Sequence, residues 1–187
     1  MGRTINSLAI LPGFTRMSHK NIKLETLFND SLENSYSKFK LVHEQLSWIR
    51  TNKEACFEAY LTETPYWNFN DTSCGKYVKS GDMGCYLFQH EVYGKQYAGE
   101  GGIHSRVKDK RKKFIILMDG YSFDEWNGAK KLYAFDKNIN NWKVKAYIID
   151  TGNKIIDKIL AKELEDTLKI KYNLIEGGLN TQVGSNT

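Results

Sequence analysis

At 187 residues, with 41% hydrophobic and 26% charged, the chain has the scale and composition of a globular protein with a buried core. Disordered and fibrous classes are excluded. The formal charge of +5 suits a polyanionic partner without requiring one.

The apolar patch Leu8-Ala9-Ile10-Leu11 ends at Pro12-Gly13, too short for the core of a signal peptide, and no stretch approaches the length of a membrane span. Cys56, Cys74 and Cys85 show no CxxC pair and no zinc-ligand spacing, and an odd number cannot all pair. A cytoplasmic protein with no membrane partner is expected. From Leu24 to about Leu61 apolar residues recur at spacings of three, four and seven, which predicts helices. Residues 62–83 are rich in turn formers and mark a boundary between a helical extension, 1–80, and a second domain, 81–187. In that domain Cys85-Tyr86-Leu87-Phe88 reads as a buried strand, Tyr93-Gly94 as a turn and Gln96-Tyr97-Ala98 as a second strand. Gly99-Glu100-Gly101-Gly102 reads as a tight turn into the basic segment Arg106–Lys113. Phe114–Met118 fits a strand or a helix end. A loop over 119–128, a helix over 129–139, a strand over 142–149 and an amphipathic helix over 154–172 follow. The order implies an α+β fold, a small antiparallel α/β sandwich.

Gly84-Cys85-Tyr86, ten residues, Tyr97-Ala98-Gly99 and then Arg106 resemble the signature of GIY-YIG nucleases. Leu164-Glu165-Asp166-Thr167-Leu168 resembles the segment that carries the family's metal-binding glutamate, and Asn180 falls at the family's terminal asparagine. Ala129-Lys130-Lys131-Leu132 through Ile149 resembles the helix-strand segment of phage intron-homing enzymes. The resemblance covers about residues 84–181. It implies a central three-stranded antiparallel sheet and a divalent-metal-dependent DNA endonuclease, monomeric or dimeric, that nicks or cuts double-stranded DNA at preferred sites. The interval from Tyr97 to Arg106 is one residue shorter than the family's, which leaves Arg111 as the alternative. The histidine many members carry after the arginine is replaced by Lys108 and Lys110.

The chemistry assigns expected roles. Glu165 would hold Mg²⁺ or Mn²⁺, supplying Lewis acidity and charge. Arg106 offers a permanently charged fork to phosphate oxygens. Tyr86 is the expected base or water-positioning group, which requires a cation to favour its phenolate. Lys95, two residues before Tyr97, is the expected cation because alternate strand residues share a face. Tyr97 would hydrogen-bond the water or phosphate, and His104 would be a proton donor. Lys108, Lys110, Arg111, Lys112, Lys113 and Asn180 are expected to contact DNA. Helical geometry alone leaves Glu163 and Glu165 open, and only the resemblance selects Glu165. The other readings are a dimeric restriction endonuclease, a silent DNA-binding module, and, without the motif, two core tyrosines beside a solvated basic helix. His19, His43 and His90 carry no signal.

Overall fold

The computed structural model describes residues 43–44, 46–122 and 128–180. The chain divides into Met1–Glu44 and Gln45–Thr187, and the architecture below is that of the second unit. The helices expected over residues 24–42 lie outside the described residues.

A helical stretch at 46–51 leads into α1 (Lys53–Tyr60), which runs directly into β1 (Leu61–Glu63). Next come β2 (Trp67–Asn68), a 3₁₀ turn (Cys74–Lys76), β3 (Met83–His90), β4 (Gln96–Gly102), α2 (Ile103–Met118) and α3 (Gly128–Phe135). A second 3₁₀ turn (Ile139–Asn141), β5 (Trp142–Ile149) and α4 (Lys154–Lys171) complete the order. The sheet is antiparallel throughout, in the order β1-β5-β3-β4, with β2 also paired to β5. The expected three-stranded centre is therefore β5-β3-β4, widened by two short strands from residues 61–68. Residues 45–80 belong to the same unit as 81–180, so the boundary expected near 80 falls instead at 44/45. The turn formers of 62–83 punctuate short strands rather than link domains.

Period-two alternation separates two cores. Tyr86, Phe88, Trp142, Val144 and Ala146 face α2 and α3, where Ile103, Val107, Phe114 and Leu132 meet them. Cys85, Leu87, Ala98, Tyr147 and Ile149 face α4 and α1, against Leu160, Leu164, Leu168 and Phe57. The layers are thus helix, sheet, helix. The run Gly99–Gly102, expected as a turn, instead continues β4 and pairs with Met83–Tyr86, because the backbone groups of glycine satisfy a ladder as well as those of any residue. Gly102 passes straight into α2, whose first N–H, on Ile103, donates to the Asp82 carbonyl. Phe114–Met118 is the end of that helix. α4 starts at Asn153, whose side chain accepts the N–H groups of Ile155 and Ile156 and caps the helix.

His90 is fully buried at the end of β3, its ring packed among Tyr93, Phe135 and Trp142. Its Nδ1 accepts the N–H groups of Val92 and Tyr93, so the proton sits on Nε2, which donates to Asp136 at 2.7 Å. Asn141 donates to the same carboxylate. The network ties the β3–β4 turn to the α3–β5 connection. His90→Ala leaves a cavity and strands a carboxylate, and is expected to cost about 3 kcal/mol in urea unfolding.

Candidate active site

The hairpin β3–β4 brings Tyr86 and Tyr97 together on the α2/α3 side of the sheet. Tyr86 pairs with Gly99 across the ladder, and its phenol lies over that glycine: a Cβ at 99 would sit 2.3 Å from the hydroxyl. Tyr86 is only 2% exposed, so its phenol lies within the core under α2 and α3, over the outer strand β4. Tyr97 is half-buried, and its hydroxyl meets the first residue of α3, where a Cβ on Gly128 would come within 2.7 Å. The glycine allows α3 to close against the phenol.

Helix α2 adds the cations. Arg106 is exposed, its Nε 3.4 Å from where a Cβ on Gly101 would be, and its charge is felt at both phenols. Lys110, one helical turn on, places Nζ 5.5 Å from the ring centroids of both Tyr86 and Tyr97. From α3, Lys131 places Nζ 5.9 Å from the Tyr97 ring. Glu165 stands on α4, in the opposite layer, yet its charge raises the pKa of Tyr86 and Tyr97 and opposes the fall at Lys110. The layers meet around the edge of β4, where Gly99 and Gly101 carry no side chains. Glu163 is engaged elsewhere, with Arg50 at 3.3 Å and Lys53 at 3.9 Å. Of the two glutamates that helical spacing left open, Glu165 is the one whose charge is felt at the phenols.

Several expected site residues are placed otherwise. Lys95 donates from Nζ to the Gly177 carbonyl at 2.6 Å, so it anchors the segment after α4 instead of serving the phenols. Lys110 is the ammonium at the phenols. His104 lies on the outward stripe of α2 with Lys108, Arg111 and Lys112, lining a groove of about 670 Å³. Two residues, or about 200°, separate it from Arg106 around the helix, which takes it out of the proton-donor position. Arg111 donates to the backbone and side-chain carbonyls of Asn70, a structural tie, and Arg106 is the arginine whose charge is felt at the phenols. Lys113 pairs with Asp109 at 3.0 Å. Asn180 is buried and cannot contact DNA: its carboxamide accepts the Ala98 N–H and donates to the Ala98 carbonyl, both at 2.9 Å, on the outer edge of β4.

The electrostatics reverse one expectation. Burial pushes the Tyr86 phenol well above its ordinary value, with Tyr97 adding to the rise and Arg106 only opposing it. Burial also pushes Tyr97 up to about 12, reinforced by Glu165. Both tyrosines are neutral hydrogen-bonding groups at physiological pH, not phenolates, because desolvation outweighs the neighbouring cations. The group whose proton is loose near neutrality is Lys110, pulled down to about 8 by burial and by the positive charges of Arg106 and Lys113. Its spacing of four from Arg106 on a helix is the signal that could have placed it in the cleft.

Glu165 is itself raised by burial, and its Oε2 lies 3.2 Å from Lys169 Nζ. Among the described residues no three His, Cys, Asp or Glu side chains gather as a metal cluster. The donor set fits a hard, water-rich dication held by one carboxylate, such as Mg²⁺ or Mn²⁺, with the Lys169 ammonium as its competitor at Oε2. No helix among the described residues is long and apolar enough to cross a membrane. The chain matches no family model, no curated protein and no solved structure.

Lys110 has a thermodynamic consequence. Its pKa falls from 10.5 to about 8 on folding, so between those values the unfolded chain binds more protons and stability rises with pH. Below about 8 the full penalty is present. Lys110→Met is expected to stabilise the fold at pH 7 by about 1–3 kcal/mol, several degrees in Tm, and to flatten the rise between pH 8 and 10.5. Thermal unfolding across that range checks it.

Proposed function

We propose that the chain is an endonuclease hydrolysing phosphodiester bonds in double-stranded DNA, with its active site at the open edge of β4. One observation carries the reading. Arg106, Lys110 and Glu165, from two opposite helical layers, all act on the hairpin phenols Tyr86 and Tyr97. A structural cluster has no need of two phenols, a guanidinium and a desolvated ammonium beside a carboxylate that Glu100 and Asp166 crowd with like charge. A phosphoryl centre uses each of them.

In the reaction, Arg106 holds the non-bridging oxygens of the scissile phosphate with paired N–H donors. Tyr97 and Tyr86, as neutral phenols, donate hydrogen bonds to a phosphate oxygen and to the attacking water, stabilising the charge that builds on the phosphorane. Lys110 in its neutral form accepts the proton of that water. The oxygen then bonds to phosphorus as the bond to the leaving oxygen breaks, and the leaving alkoxide takes a proton from solvent. Glu165 would hold Mg²⁺ or Mn²⁺, whose Lewis acidity and charge would add to this stabilisation.

The outward groove of α2, with Lys108 and Lys112 beside His104, supports a backbone-tracking role apart from chemistry. A single such edge breaks one strand per encounter, so nicking is the expected outcome for a monomer. With supercoiled plasmid and Mg²⁺, open circles are expected before linear DNA. Arg106→Ala and Glu165→Gln are expected to lower cleavage by at least about 100-fold while duplex binding is retained. Binding without cleavage by the wild type under Mg²⁺, Mn²⁺ or other divalent ions would instead favour a silent DNA-binding module.

The pH profile gives a separate check. With Lys110 as base, single-turnover cleavage rises tenfold per pH unit and levels off above about 8. Lys110→Met removes the rise and lowers the rate about 10²–10⁴-fold. A wild-type profile that is flat from pH 6 to 9 under rate-limiting chemistry assigns the base elsewhere.

A further inference from the structure

We infer that Lys131 is a second phosphate contact, taking a backbone phosphate next to the one held by Arg106, so that the cleft grips nucleic acid on both sides of Tyr97. The identity of the polyanion rests on the nuclease reading above. The geometry of the cation does not.

Two ammonium groups flank the Tyr97 ring. Lys110 Nζ lies 5.5 Å from its centroid and Lys131 Nζ 5.9 Å, and they come from different helices, α2 and α3. Their separation is fixed by the fold, since Gly128 seats α3 against the Tyr97 hydroxyl. Lys131 also lies near a third ammonium: after burial, the charge of Lys169 on α4 is what lowers its pKa. Lys169 is itself buried and engaged by Glu165 and Asp166. Two helices therefore deliver lysines to one half-buried phenol, with the charge of Arg106 also felt there. Arg106 already crowds like charge against Lys110 beside the ring, and a polyanion laid through the cleft relieves that repulsion. Arg106 and Lys110 reach both phenols from α2, whereas Lys131 reaches the Tyr97 ring alone from α3, so one phosphate need not be central to both groups. A chain of phosphates at successive positions can be.

The competing explanation is that Lys131 only covers the Tyr97 ring, a cation–π contact of structural value. Lys131→Met keeps an apolar stem over the ring and removes the charge, and Lys131→Arg keeps the charge. The experiment is a salt titration of binding to a short mixed-sequence DNA duplex, in EDTA so that no cleavage occurs. Fluorescence anisotropy follows wild type, both Lys131 variants and Lys154→Met, which removes an exposed lysine from the first turn of α4.

Lys131→Met is expected to bind about 5- to 20-fold more weakly at ~0.1 M salt, and its slope of log K against log salt to fall by about 0.9, one phosphate's worth. Lys131→Arg and Lys154→Met are expected to keep the wild-type slope, and melting curves check that all four proteins are folded. Duplexes with a neutral methylphosphonate on either side of the cleaved bond place the contact. Wild type is expected to lose affinity on one side, and Lys131→Met on neither. A wild-type slope in Lys131→Met, or an equal loss in Lys154→Met, overturns the inference and leaves the nuclease reading standing. Folded wild type that binds no duplex removes both.

Discussion

In the pairing of Tyr86 with Gly99 the phenol occupies the space in which every other amino acid carries its Cβ. An alanine there would have to share 2.3 Å with the hydroxyl, so either the ring would turn or the strands would part. The same absence of side chains at Gly99 and Gly101 bares the α2 face of the outer strand, while Glu100 between them stands on the α4 face. Arg106 leans over Gly101 from one layer, and the charge of Glu165 reaches the phenols from the other.

Burial sets the proton chemistry of the cleft. Two phenols and an ammonium are all partly removed from water, and each responds by favouring its neutral form. For tyrosine this moves the proton out of reach of ordinary pH, whereas for lysine it moves the proton into reach. The same desolvation thus fixes the tyrosines as donors and leaves Lys110 able to act as acceptor. The direct passage from Gly102 into α2 gives this arrangement stiffness, because no loop lies between the strand that carries Tyr97 and the helix that carries Arg106 and Lys110.

The strands and helices of residues 84–171 were legible because their alternation and helical spacing are strong, and Tyr86, Tyr97, Arg106 and Glu165 were legible as a motif. What escaped depends on partners far away in the chain. The glycine run after Tyr97 reads locally as a turn, and only the ladder with Met83–Tyr86 makes it a strand. Lys95 shares strand parity with Tyr97, but the Gly177 carbonyl, 82 positions on, claims its ammonium. Asn180 sits at a motif position, yet nothing in its neighbourhood signals that it will bond Ala98. His90 looked featureless, and its buried bond to Asp136 depends on the packing of three elements. The two short strands from 61–68 were hidden by turn formers that shape β1 and β2 without separating domains.

The carboxamide of Asn180 presents to β4 one acceptor and one donor, the pair of groups a neighbouring strand would offer. With the Leu179 N–H on the Gln96 carbonyl, it occupies part of the rim that an outer strand otherwise leaves open to other chains. A sheet with a glycine-lined outer margin is exposed to self-association along it. Here a single side chain blunts the sticky stretch, while the neighbouring glycines stay uncovered by bulk of their own.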